Sequence, residues 1–286
     1  MTHAAPLEQR NVRDKEELAV FRFFRCQWIE MLDGADDHAI SKQITALLSA
    51  DLEFRTIVRS RELNRHASNP QNGMIHWFID EGFFAHQVLT IRRMTEEYDG
   101  QKRRAVYSLP RIMSEIEERR ELITREMYVC VDGDPYDATE DNLHTRARHA
   151  VFDKLAQVDS TNRSRDDLIH ADYVHNLRTR LESSKVVRTY ANKFLAHAAA
   201  PSTRTGSWEF SVNDLEQVYK DLVGLTRELS ERVLYHAGII FLPSYIYDVL
   251  AHFDNPVCHA SKLRELEEFW EKRQEELREL EQASVS

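Results

Sequence analysis

Glycine and proline are scarce in this chain, 8 and 7 of 286 residues. Sheet proteins with many tight turns rely on both, so their scarcity argues against a loop-rich β fold and for helices joined by short connections. Cysteine is scarcer still. Cys26, Cys130 and Cys258 are odd in number, far apart and outside any Cys-x-x-Cys or Cys/His ladder. That pattern excludes a disulfide framework and a structural zinc site, and it suits a reducing, cytoplasmic setting. No apolar run approaches the ~20 residues of a membrane span, and the N-terminal stretch lacks a basic start followed by an apolar core. The expectation is a soluble chain with no membrane partner. Dinucleotide-binding, Walker, HExxH and GxSxG patterns are missing as well, which removes support for nucleotide hydrolysis, hydride transfer and the common hydrolase machinery. A formal charge of −10 argues against a surface that coats nucleic acid broadly, while allowing a local basic pocket.

What the sequence does have is apolar residues at helical spacing. Leu18, Phe21, Phe24 (with Cys26), Trp28, Met31 and Leu32 make a wide stripe that ends at "LDGADD". Residues 38–63 continue as two shorter helical pieces, and "SNPQNG" breaks the chain. Residues 74–97 are apolar around much of the circumference, which predicts a central core helix. Ser108 as N-cap and Pro110 in the first turn open a helix through Tyr128. "DGDPYDATED" (132–141) is the strongest turn cluster, and an internal boundary would fall there. Beyond it come a helix over 142–158 and a long segment from Leu168 to Ala199, kinked near Ser183 and Ser184. Ser211 opens a further helix with Leu215, Val218, Leu222, Leu225, Leu229 and Val233 on one stripe. A charge-dense last helix carries Leu266 and Trp270. The fold class expected is all-α.

The segment "RTYANKFLAH" (188–197) finishes on polar groups, and it is followed by a Ser/Thr loop and a helix opened by "SVNDL". This pattern resembles the HEPN superfamily (higher eukaryote and prokaryote nucleotide-binding), in its abortive-infection branch, and "HQVLTIRRMTE" and "YSLPRIMSEIEERRELITREMY" look like that branch too. The resemblance implies an HEPN-like helical bundle over residues 14–238, with a C-terminal helical extension over 239–286. It further implies a homodimer acting in phage defence or toxin–antitoxin systems as a metal-independent endoribonuclease, with RNA and an antitoxin as partners and no cofactor. The family pattern is an arginine, a polar residue beside it, a few variable residues, then a histidine. Asn192 takes the polar place, His197 the closing place, and the arginine place falls on Ala191.

Metal-free RNA cleavage needs a base for the 2′-hydroxyl proton and cations for the charge growing on phosphate. Ala191 supplies neither. On α-helical geometry Lys193 lies only about 40° around from His197, and Arg188 sits one turn before Ala191. Catalysis would therefore use His197, Asn192, Lys193 and Arg188, with Arg92, Arg93, Lys102, Arg103 and Arg104 gripping RNA beside Tyr107.

Each signal has a plainer reading. His197 near a helix end is favourable there when charged, Asn192 can serve as a buried amide, Lys193 is most often simply solvated, and the 102–104 charge run is most often a solvated loop. The pairs Asp167/His170 and Asp172/His175, like His76/Asp80, lack the second ligand set of helical-bundle metal sites. The competing function is a non-catalytic helical scaffold that binds a partner protein or a nucleotide.

Overall fold

A computed structural model describes residues 12–63, 73–97, 106–137, 142–195 and 212–242, with scattered residues between 244 and 275. The fold is all-α: among the described residues the extended pairing is a lone antiparallel bridge between Thr124 and Leu168. The chain divides into two compact units, Met1–Pro243 and Ser244–Ser286. The turn cluster after Asp132 is internal to the first unit, so no unit boundary falls there. In the second, residues 264–272 are helical with exposed side chains.

Helix α1 (Lys15–Asp33) begins where the Asp14 carboxylate accepts from the Glu16 and Glu17 amides, satisfying donors that a helix start leaves open. Its stripe buries Leu18, Phe21, Trp28, Met31 and Leu32, with Phe24 half-buried and Cys26 exposed. The Trp28 indole donates to Glu115 Oε2 at 3.1 Å, which satisfies the one polar atom of a fully buried ring.

Helix α2 (Ile40–Leu63) is one continuous helix rather than two pieces. No glycine or proline interrupts residues 40–63, and the hydroxyls of Thr45 and Ser49 turn back onto the Ser41 and Thr45 carbonyls. Helix α3 (Gly73–Met94) is core only in its second half: Phe83, Val88, Ile91 and Met94 are buried, whereas Met74, Trp77 and Phe78 are exposed.

The helix expected from Ser108 to Tyr128 is broken. Ser108 caps α4 (Leu109–Glu118), accepting from the Arg111 amide as expected, and a short 3₁₀ turn at Arg120–Leu122 follows. Thr124 then caps a separate helix, α5 (Arg125–Cys130). Helix α6 spans Leu143–Ala156, α7 Ala171–Thr179 and α8 Ser184–Tyr190. A 3₁₀ turn at Arg180–Ser183 makes the kink before Ser184. Residues 168–170 are not helical, because Leu168 pairs with Thr124 and the His170 amide donates to Leu155 O.

After α8 the chain widens into a π turn at Ala191–Leu195. Helix α9 (Val212–Arg227) ends in a second π turn, Glu228–Val233, and together they bury Leu215, Val218, Leu222, Leu225, Leu229 and Val233, the full predicted stripe. The core layers place α2 on α3, α3 on α8 and α2 on α9.

Candidate functional site

Helix α8 packs on α3 so that Arg188 reaches the carboxyl end of α3. Its Nη1 donates to Thr95 O at 3.2 Å and to Glu97 Oε1 at 2.7 Å. A guanidinium at that end satisfies carbonyls the helix leaves open and meets its partial negative charge. On the other side Arg188 opens into a cleft of about 260 Å³ lined by Arg92, Glu96, Glu97, Lys185, Thr189 and Asn192. A neighbouring pocket of about 210 Å³ shares Glu97 and Arg188 and adds His175 and Arg178.

Three of the residues expected to act on RNA thus meet in one place: Arg188, Asn192 and Arg92. Lys185, one turn before Arg188, adds a third cation. Two carboxylates temper them. Glu97 pairs with Arg188 at 2.7 Å and Glu96 with Arg92 at 3.7 Å. Glu97 is mostly solvent-exposed, so its pair with Arg188 is of the surface kind, worth about 0–1 kcal/mol.

Ala191, in the place where the resembled family carries arginine, is fully buried and turned into the core. Asn192 beside it is exposed and lines the cleft. Lys193 is half-buried on the same turn. Because residues 191–195 form a π turn, the α-helical angle relating Lys193 to residue 197 does not apply across them. His197 lies outside the described residues, as do Lys102, Arg103 and Arg104. Arg93, next to Arg92 on the last turn of α3, faces a separate pocket with Tyr107.

The carboxylate–histidine pairs do not assemble. Asp167 accepts from Arg125 Nε at 2.8 Å, while His170 caps α7 by accepting from the Asp172 amide. Asp80 binds Arg61 at 2.7 Å rather than His76. Among the described residues no group of three or more His, Cys, Asp or Glu side chains could hold a metal ion. No helix of the described residues is long and apolar enough to cross a membrane.

A polar network anchors the segment that follows α4. Arg125 is fully buried, donates to Asp153 at 2.7 Å and Asp167 at 2.8 Å, and lies over the Phe152 ring. Burial pushes the Asp153 carboxyl upward, but hydrogen bonds from Arg163 and Arg125 and their charges outweigh it and hold it below its ordinary value. His149 is pushed down, chiefly by burial, against a hydrogen bond with Tyr136 O and with help from Arg163 and Arg125.

Sequence spacing could have found Lys185, three residues before Arg188 and therefore on its face. Glu96 and Glu97 carried no such signal, since only the packing of α8 on α3 brings them to Arg188. Comparison with known proteins adds nothing to this geometry: no family model, curated protein or solved structure significantly matches the chain.

Proposed function

We propose that the protein is an HEPN-like effector of prokaryotic phage defence, acting on RNA as a metal-independent endoribonuclease in which Arg188 replaces the guanidinium missing at Ala191. One observation carries this reading: Arg188 and Asn192, four residues apart, line a single cleft with Arg92, while Ala191 packs inward.

In this reading an RNA phosphate displaces the exposed Glu97 carboxylate from Arg188. The exchange trades one anion for another, so the guanidinium keeps a charge-assisted partner throughout. Asn192 orients the phosphate, Arg92 and Lys185 hold neighbouring charge, and Lys193 adds to the local field. His197 takes the 2′-hydroxyl proton, and the resulting oxyanion attacks the adjacent phosphorus. The 5′-oxygen leaves and takes a proton from solvent water, giving a 2′,3′-cyclic phosphate and a 5′-hydroxyl end. A second copy of the chain and an antitoxin complete the assembly that the resemblance implies.

The test is cleavage of mixed cellular RNA by purified protein in EDTA, with His197→Ala and Arg188→Ala alongside. Cleavage that persists in chelator and falls at least ~100-fold in both variants supports the reading, since removing one transition-state donor costs about that much. No cleavage, or equal cleavage by all three, refutes it.

A second reading is favoured by the ion pairs themselves. Arg92 and Arg188 each already have a glutamate partner, which suits a binding scaffold whose cations are structural. RNA binding without cleavage would select it.

A further inference from the structure

The other pocket at the end of α3, about 380 Å³, is the roomiest of the three described here and lies within the size range of small-ligand sites. Asp36, His38 and Gln43 from the α1–α2 connection and the first turn of α2 form one wall. Arg93, Val106 and Tyr107 form the other.

Three of its groups have a polar atom with no partner among the described residues, one of them buried and one, Arg93, exposed to solvent. Gln43 is 5% exposed; its amide Nε2 donates to His38 O at 2.6 Å, but its Oε1 has no hydrogen-bond partner. A buried acceptor left open is unusual and calls for a ligand or water. The Arg93 guanidinium makes no hydrogen bond or ion pair among the described residues, in contrast to Arg92 and Arg188. The Tyr107 ring is half-buried, and its hydroxyl has no partner among the described residues. Asp36 adds a carboxylate whose Oδ1 accepts from the His38 amide at 2.7 Å.

We propose that this pocket binds one nucleotide unit, with the base stacked on Tyr107 and the phosphate on Arg93. An aromatic face, a guanidinium with no partner among the described residues, one buried acceptor and one exposed carboxylate are parts that recognise an unstacked base and its phosphate. Gln43 Oε1 and Asp36 are both acceptors, so the base edge facing them must donate. That favours guanine, with adjacent ring N–H and amino donors, over uracil, which has a single ring N–H. The same unit occurs in a free nucleotide and in single-stranded RNA. For the RNA source the inference rests on the reading above: Arg92 and Arg93 stand about 100° apart on one helical turn, so a strand crossing the end of α3 would set a phosphate in the Arg188 cleft and a flanking base here.

The test is equilibrium binding of GMP, UMP, inorganic phosphate and a guanine-containing RNA tetranucleotide to the full chain. Arg93→Ala, Tyr107→Ala, Tyr107→Phe and Arg188→Ala are compared after circular dichroism confirms folding. GMP should bind more tightly than UMP or phosphate and lose about fivefold or more in Arg93→Ala and Tyr107→Ala, since one stacked base is worth at least about that factor. For GMP, Tyr107→Phe, which keeps the ring, should stay within about threefold. Tight binding of the tetranucleotide with weak binding of GMP would assign the site to an RNA strand, and comparable binding to a free nucleotide. Loss of GMP binding in Arg188→Ala with none in Arg93→Ala overturns the proposal. So does equal binding of phosphate and GMP with no effect at Tyr107, which would reveal a simple anion contact, or absence of binding by every probe. Because the readout is binding, it stands or falls separately from cleavage in EDTA.

Discussion

Placing at position 191 the arginine that the resembled family carries, by Ala191→Arg, should destabilise the protein instead of activating it. Ala191 is fully buried at the start of the π turn. A larger side chain there overpacks the core, at about 1–3 kcal/mol. A guanidinium without a partner adds the several kcal/mol of an uncompensated buried charge, about 3–5 by analogy with broken buried pairs. Together these remove about 4–8 kcal/mol from a domain whose whole stability is on the order of 5–15 kcal/mol. If the long arginine bends back to water, only the overpacking part remains. Ala191→Leu isolates that part and should cost about 1–3 kcal/mol. Asn192→Arg, one residue on and exposed in the cleft, should stay within about 0.5 kcal/mol of the parent. Chemical denaturation of the three variants, paired with RNA cleavage in EDTA, checks the set. An Ala191→Arg protein as stable as the parent and faster on RNA would show that position 191 opens into the cleft, and the assignment of its role to Arg188 would fall.

Arg125→Met should cost about 3–5 kcal/mol in urea denaturation, because it strands the Asp167 carboxylate, whereas Asp153 keeps Arg163. Adding Asp167→Asn should recover part of the loss; no recovery would mean that the pair is not what holds the segment. Acid should weaken the fold in two stages. The His149 imidazole has a folded pKa below its ordinary 6.5, so the unfolded chain binds the proton first and stability drops once pH falls below about 6.5. The Asp153 carboxyl, depressed below its ordinary 3.8, contributes stability above that value, and this is lost as pH falls through the lower folded value. Thermal melts from pH 8 to pH 3 read both stages, and His149→Gln should flatten the first. Lys185→Ala removes an exposed cation of the cleft. It should leave the melting temperature unchanged and lower the salt slope of RNA binding by about 1.

Periodicity made much of the fold legible. The stripes on α1 and α9 were readable because each is continuous and apolar on one face. It failed where tertiary contact decides. Trp77 and Phe78 have the composition of core residues, but nothing in the described residues packs over them, and spacing alone says which face is apolar without saying what covers it. The break between α4 and α5 was hidden because Arg119 to Ile123 contains no glycine or proline; Thr124 as a second cap was the available signal. The burial of Arg125 and Arg148 left no signal in the sequence, since their aspartate partners lie far away in sequence or across a turn. At the cleft, the four-residue interval from Arg188 to Asn192 was legible, while Glu97 and Gln43 entered only with the packing of separate elements.

The two consecutive arginines that close α3 act as a ruler. Each turns to a different pocket, so inserting or deleting one residue between Phe83 and Arg92 would rotate both by about 100° and take Arg92 from one pocket and Arg93 from the other at once. The two proposed sites would together fix the length of this helix, and in any relative of this chain the spacing from the buried stripe to the arginine pair should be more constant than the identity of the residues between them.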